Sequence, residues 1–91
     1  MQNKKYYVYI LECSDKTLYI GKTFDLKSRI DAHNGILRGG AKYTRGRRPV
    51  VLKYFEEFLS QTDALQREWN LKCLTKEEKE KLVGKTKSSD L

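Results

Sequence analysis

Aromatic and β-branched residues crowd the beginning of the chain and limit what it can fold into. The run YYVYILEC at residues 6–13 predicts a β-strand, because such side chains pack well on a pleated surface. Ser14, Asp15 and Lys16 supply turn residues, and LYIGK at residues 18–22 predicts the returning strand of a hairpin. The fold must therefore include a sheet built on this hairpin.

The remaining elements are predicted from capping and breaking residues. Asp25 caps a helix that runs to about His33 and stops at Asn34-Gly35. Residues 35–49 form a basic, glycine-containing loop, and VVLKYFEEF at 50–58 is a third strand. Capping patterns then predict two more helices, one from Ser60 and Asp63 to about Leu74, and a short one from Thr75 and Glu78 that stops at Gly84.

This order of elements predicts an α/β fold of the α+β kind, a small three-stranded, mostly antiparallel sheet flanked by helices. Residues 1–84 are expected to form a single domain, and the polar residues 85–91 a disordered tail. No apolar run in the 91 residues reaches the roughly 18–20 residues of a membrane span, and the N-terminus lacks a signal-peptide pattern, so we expect a cytoplasmic protein.

The charge of the chain indicates the kind of partner it binds, and its cysteines argue against a structural zinc site. The formal net charge of +7 on a short chain favours polyanionic partners, of which nucleic acid is the commonest in the cytosol. Cys13 and Cys73 show no metal-ligand spacing, so we expect buried apolar fillers and no structural zinc site.

The first helix places polar residues where apolar ones are expected. Leu26 and Ile30 define its buried stripe, and Arg29 and His33 fall on the same side, one turn apart. An arginine in a core-facing stripe is unfavourable unless it is paired or faces a cleft.

The second helix repeats this anomaly. Its apolar arc contains Glu68 and Lys72 beside Ala64, Leu65, Trp69, Leu71 and Cys73, whereas Gln66, Arg67 and Asn70 occupy the opposite side. A structural ion pair between Arg29 and Glu68 is one interpretation; the other is a site to which both helices contribute. The latter is favoured when the hairpin tyrosines are considered too.

The hairpin contributes Tyr7, Tyr9 and Tyr19, followed by Gly21. Tyrosines are common in strands, but a glycine in a strand interior weakens it. Such a glycine often marks a bulge or a close approach by a ligand backbone.

Together these residues resemble a known pattern. Tyr7-Val8-Tyr9 and Tyr19-Ile20-Gly21 are similar to the paired tripeptides of the GIY-YIG nuclease superfamily, although the first begins with Tyr7 in place of glycine. Arg29-x-x-x-His33 and the later Glu68 resemble its remaining signature positions. The run GAKYTRGRRP at residues 40–49 further resembles the short single-domain branch, which is similar to the catalytic part of Slx-type structure-selective nucleases.

The resemblance implies a metal-dependent endonuclease that hydrolyses phosphodiester bonds with an activated water. It implies that Glu68 is the ligand of Mg²⁺ or Mn²⁺ and that Arg29 binds phosphate oxygens, residue types that suit both tasks. Tyr9 is the preferred general base, with His33 as relay and Tyr19 holding the phosphate or water; His33 as the base itself stays open. A free tyrosine has a pKa of about 10, so this role requires cations close to the phenol, where Arg29 and a metal-bound water would lower that pKa.

The expected partner is DNA, including branched or repair intermediates, with RNA as the alternative and a protein partner for targeting also open. The residues expected to bind nucleic acid are Lys22, Arg38, Lys42, Tyr43, Arg45, Arg47, Arg48 and Lys72. Two alternatives remain, a non-catalytic nucleic-acid-binding module and a catalytic subunit that requires a partner. The sequence does not determine the oligomeric state.

Overall fold

The computed structural model describes residues 5–87. Strands β1 (Tyr6–Glu12) and β2 (Leu18–Thr23) form the hairpin, and β3 (Val51–Phe58) completes the sheet in the order β2-β1-β3, with both pairings antiparallel. The helices are α1 (Leu26–His33), α2 (Lys42–Arg45), α3 (Gln61–Lys72) and α4 (Lys76–Lys87). The predicted three-stranded antiparallel sheet with flanking helices is confirmed.

The central strand β1 is covered on both faces, which explains its unbroken apolar run. Val8 and Ile10 pack on one face with Ile20, under α3 and α4. Tyr9 and Leu11 point to the other face, where Leu26 and Ile30 of α1 cover them. The sheet therefore separates two small apolar clusters, and the candidate catalytic tyrosine belongs to the cluster under α1.

The three predicted caps are present. The Asp25 side chain accepts a hydrogen bond from Ser28 N at 3.2 Å, and Ser60 accepts one from Asp63 N at 3.3 Å. Thr75 and Glu78 bond reciprocally, with each side chain accepting from the other's backbone nitrogen, at 3.1 and 2.9 Å. These bonds satisfy amide groups that have no partner within a helix.

Two predictions about regular structure are wrong. Residues 42–45, expected in a loop, form the short helix α2, because Thr44 N and Arg47 N bond to carbonyls three residues earlier. The last helix continues past Gly84 to Lys87, since an interior glycine weakens a helix without ending it. Helix α4 thus includes residues 85–87 of the expected tail, and residues 88–91 lie outside the described residues.

The orientation of α3 also differs from the prediction. Ala64 and Leu71 are its fully buried positions, whereas Leu65, Trp69 and Cys73, expected in the apolar arc, are exposed. Arg67, expected on the outer side, is partly buried.

The reason for the rotation of α3 is an ion pair to the sheet. Arg67 forms a two-pronged pair with Glu56 of β3, at 2.9 Å to each carboxylate oxygen, and the Tyr54 hydroxyl donates to the same carboxylate. Such bidentate pairs fix geometry strongly, so the helix turns Arg67 inward and the opposite side outward.

Gly21 leaves room for a tyrosine ring. It pairs directly with Tyr9 across the hairpin, and a Cβ at position 21 would lie 2.7 Å from the Tyr9 Cζ atom and closer still to Oη. The irregularity in the sheet lies elsewhere, between Ile10 and Leu11 in the pairing with β3. The glycine was expected to mark a bulge or a ligand's approach; it marks the approach of the protein's own phenol.

We therefore predict that Gly21→Ala lowers the free energy of unfolding by about 1–3 kcal/mol, because the methyl group overpacks a closed contact. Urea denaturation monitored by circular dichroism measures this. Gly84→Ala is the matched control, since a Cβ there meets nothing within 4 Å; it should raise stability by about 0.5–1 kcal/mol. Equal effects of the two substitutions would contradict the interpretation.

Candidate active site

Tyr9 lies at the centre of the site, where the hairpin and α1 meet. Its side chain is 1% exposed and its ring lies across the backbone of Gly21. The Oη atom is 2.9 Å from Nε2 of His33, the last residue of α1, which is fully buried. The predicted juxtaposition of strand tyrosine and helix histidine is therefore present.

The hydrogen bonds around His33 indicate its tautomer. Thr44 Oγ donates to the Ala41 carbonyl at 2.9 Å, so its oxygen is left to accept from His33 Nδ1 at 3.0 Å. Nε2 then carries no proton and accepts from the Tyr9 hydroxyl. The amide of Ala41 approaches Nδ1 at 3.4 Å and would suit the opposite tautomer, but this is the longest of the three contacts.

Burial moves both pKa values away from neutral pH. Removal from water, together with the charges of Arg29 and Arg48, lowers the pKa of His33 from about 6.5 to about 4. Burial raises the pKa of Tyr9 to about 12, although a hydrogen bond from Arg29 opposes the rise. A neutral imidazole thus faces a neutral phenol, and the expected lowering of the Tyr9 pKa is not found in the protein alone.

Arg29 is partly buried and held against the loop that follows α1. Its Nη1 atom donates to the Gly39 carbonyl at 2.5 Å, while its charge acts on both Tyr9 and His33. The hydrogen bond to the carbonyl fixes the long side chain in place. The result is a guanidinium presented beside the phenol, as the helix pattern predicted.

Glu68 reaches the same region from α3. Its side chain is 15% exposed, and its negative charge raises the pKa of Tyr9. Lys72, one turn later, pairs with it at 3.1 Å, so the alternative of an Arg29–Glu68 salt bridge gives way to a pair within the helix. Within residues 5–87, no cluster of three His, Cys, Asp or Glu side chains could hold a metal ion.

Tyr19 and Tyr43 extend the site as an aromatic row. The Tyr19 ring lies 5.0 Å from that of His33 and 5.7 Å from that of Tyr43, and Arg47 stacks on Tyr43 at 4.0 Å. Tyr43 is 38% exposed, but two neighbours already contact its ring.

The basic loop residues divide into two groups. Lys22, Arg38, Lys42, Arg45 and Lys72 are exposed; Arg48 is exposed too, whereas Arg47 is half-buried. Arg47 bonds to Asp15 at 3.0 Å and to the Tyr43 carbonyl, and Arg48 bonds to the His33 carbonyl at 2.7 Å. Arg47 and Arg48 therefore also hold the loop against the hairpin and α1.

An open cleft of about 300 Å³ adjoins Arg29 at the end of β2. Two cations and two aromatic side chains contribute to its walls. It is lined by Tyr6, Lys22, Thr23, Phe24, Arg29 and Gln61.

Thr44 and Gly40 contribute to the site without having been predicted. Thr44 is fully buried and sets the tautomer of His33. A Cβ at Gly40 would clash with the Ala32 carbonyl, so this glycine lets the loop pack on the end of α1. Both lie in the run at residues 40–49 that resembles the short single-domain branch, but nothing in that run singled out either residue.

The two cysteines differ in exposure. Cys13 is buried, as expected, but Cys73 at the end of α3 is exposed, because the helix turns that side outward. Among residues 5–87, no helix has the length and apolar character needed to cross a membrane.

Comparison with known proteins links this geometry to a family. The model of the GIY-YIG catalytic domain matches residues 5–88. The chain is 50% identical over 81 residues to a UPF0213 protein of Haloquadratum walsbyi, covering 89% of each chain. It is 52% identical over 78 residues to a UPF0213 protein of Clostridium perfringens, covering 86% of this chain and 82% of that one.

Two solution NMR structures are similar in fold as well. The UPF0213 protein from Bacillus halodurans has a TM-score of 0.60 at 42% identity, covering 93% of this chain and 88% of that one. A protein from E. faecalis has a TM-score of 0.58 at 36% identity, covering 90% and 88%.

The burial of His33 predicts a specific acid sensitivity. Because its pKa is lower in the folded than in the unfolded state, the stability it contributes is complete above about pH 6.5 and is lost as pH falls toward 4. We expect a loss of about 1–3 kcal/mol in the free energy of unfolding over this window. His33→Gln should lack this component, while the carboxylates contribute equally to both proteins.

The measurement is urea unfolding at a series of pH values for both proteins. Since this is the chain's one histidine, NMR titration of its ring protons gives the folded-state pKa directly. A ring titrating at the unperturbed histidine pKa in the folded protein, or identical pH profiles of the two proteins, would contradict the prediction.

Proposed function

This chain belongs to the GIY-YIG nuclease family, and we propose that it is a metal-dependent endonuclease that hydrolyses phosphodiester bonds in DNA, branched or repair intermediates included. One observation carries the proposal. The phenol of Tyr9 is hydrogen-bonded to a neutral, buried His33, and the charges of Arg29 and Glu68 act on that same phenol. A proton acceptor, a fixed cation and a carboxylate thus meet at one place.

Arg29 is proposed to bind the scissile phosphate. Phosphate hydrolysis passes through a state with extra negative charge on the phosphoryl oxygens, which a positioned guanidinium stabilises. The bond from Nη1 to the Gly39 carbonyl leaves other N–H groups of the guanidinium for the phosphate. Lys72 is the second candidate for this contact, because it lies beside Glu68 and is 54% exposed.

Glu68 is the proposed ligand of Mg²⁺ or Mn²⁺. A single carboxylate suits these ions, which keep several waters and take further oxygens from substrate phosphate. Its largely buried carboxylate pairs with Lys72 within the helix, and a cation of higher charge would compete with that ammonium. When bound, the metal supplies positive charge to the phosphate and to the attacking water.

Tyr9 and His33 are proposed to remove the proton from the attacking water together. With a pKa of about 12, the phenolate costs about 7 kcal/mol at neutral pH, since each unit is worth about 1.36 kcal/mol. A relay avoids a free phenolate: Oη takes a proton from water while its own proton passes to Nε2 of His33. The hydroxide forms the new P–O bond, and the leaving oxygen departs from phosphorus and takes a proton from solvent.

The geometry favours this relay over His33 acting directly. Nε2 is occupied by the Tyr9 hydroxyl, so a water could pass its proton to this nitrogen only through the phenol. Thr44 keeps Nε2 free of a proton. Tyr19, whose ring lies beside that of His33, is left to hold the phosphate or the water.

We predict that Glu68→Ala lowers DNA cleavage in Mg²⁺ or Mn²⁺ by about a hundredfold or more while DNA binding in EDTA is retained. Gel assays on branched, flapped and plain duplex DNA, and on RNA, measure cleavage. Glu77→Gln, an exposed carboxylate in the first turn of α4, is the control and should cleave normally. Unchanged cleavage by Glu68→Ala would refute the assignment; binding without cleavage of any substrate would favour a non-catalytic module or a missing protein partner.

Affinity for nucleic acid should fall steeply with salt, because the exposed cations of the loop displace counterions from phosphates. Arg38→Ala and Arg45→Ala should each reduce the slope of log K against log salt by about 1. Lys81→Ala on α4 should leave the slope unchanged. Fluorescence anisotropy with a catalytically inactive variant measures this, and an affinity that does not vary between low and moderate salt would contradict the proposed clamp.

A further inference from the structure

Two large apolar side chains lie exposed on α3. Trp69 is 63% exposed and Leu65 is 54% exposed, one turn apart on the same side of the helix. They are turned outward because Arg67 is held against β3 on the other side of the helix. An exposed tryptophan beside an exposed leucine forms an apolar patch, and such patches often mark a site of interaction.

This patch is continuous with the proposed catalytic surface. At about 100° per residue, Glu68 and Trp69 point in directions about 100° apart, and Leu65 and Lys72 lie between them around the helix. Leu65 and Lys72 are each three or four residues from Glu68 and from Trp69, so they join the two side chains on the helix surface. Lys72 pairs with Glu68 at 3.1 Å. A substrate phosphate near Glu68 would therefore place its adjoining nucleotide over the tryptophan.

The charge around the patch favours nucleic acid over an apolar partner. The patch is bordered by Lys72 and by the exposed polar side chains of Thr62 and Gln66, in a chain of net charge +7. An aromatic face with a cation beside it is the combination that binds single strands, since the base stacks and the cation takes the phosphate. Bases within a duplex have no free faces, so such a surface selects an unpaired nucleotide.

We propose that Trp69, with Leu65 beside it, is a stacking platform for an unpaired base next to the scissile phosphate. The proposal rests on the proposed function, because it needs a phosphate at the surface of Glu68. It assigns to α3 both the proposed metal ligand and a preference for strands that are single, frayed or branched at the cleavage point.

The experiment uses the intrinsic fluorescence of Trp69, the chain's one tryptophan. In EDTA, titration with a short single-stranded oligonucleotide should quench the emission, and a blunt duplex of the same length should quench it much less. Trp69→Ala should bind the single strand about tenfold more weakly, while Trp69→Phe keeps most of the affinity. Phe55→Ala, a half-exposed aromatic on the edge strand β3, should bind as the wild type does.

Three results would overturn the proposal. The first is single-strand binding, detected by anisotropy, that leaves the emission unchanged. The second is equal affinity of Trp69→Ala and wild type, with circular dichroism showing that both are folded. The third is an emission maximum that shifts to the red on dilution while sedimentation reports a dimer dissociating, which would assign the patch to a second copy of the chain.

Failure of this proposal can be separated from failure of the proposed function. Quenching is measured without metal, whereas the nuclease assignment depends on cleavage and on Glu68→Ala. DNA cleavage without fluorescence quenching would contradict the stacking role of Trp69 and support the nuclease activity. Quenching that depends on Trp69, without cleavage of any substrate, would support the stacking role and contradict the nuclease activity.

Discussion

The hydrogen bond between Tyr9 and His33 is the contact on which the rest of the site depends. It joins the central strand to the end of α1 inside a region that excludes water, so both groups are neutral and each satisfies the other. An unpaired hydroxyl or imidazole at this depth would cost about 1–3 kcal/mol. Gly21 makes the arrangement possible, because a side chain there would occupy the space of the ring. The same atoms of Tyr9 and His33 are therefore needed both for the packing of the core and for the proposed proton transfer.

Burial also explains why the Tyr9 phenol needs charged neighbours to ionise. Taken alone, Tyr9 is a weaker acid in the protein than in water, because desolvation opposes its ionisation. Arg29 offsets this in part, and Glu68 acts in the opposite direction. A cation held by Glu68 would neutralise the unfavourable charge and add a favourable one. Without a cation, the Glu68 carboxylate opposes the ionisation of Tyr9; with a cation bound, it would help to favour that ionisation.

The elements set by local chemistry were predictable from the sequence, and the contacts between them were less so. The strand run, the caps at Asp25, Ser60 and Thr75, and the spacing of Arg29 and His33 depend on neighbours a few residues away. The rotation of α3 depends on a pair between Arg67 and Glu56, which nothing in the helix pattern reveals. Thr44 acquires its role through burial against a residue eleven positions away. The roles of the candidate catalytic residues stay a prediction.

The loop after α1 is anchored before any substrate arrives. The Asn34 side chain exchanges two hydrogen bonds with the backbone of Val50, at 2.7 and 3.1 Å, and Arg48 holds the His33 carbonyl. Near its middle, the Gly39 carbonyl is bound by Arg29. A loop held by these three sets of hydrogen bonds has lost much of its conformational entropy on folding, so it loses little more when it binds a ligand. Preorganisation of this kind lets a small protein present its arginines in a fixed spatial pattern.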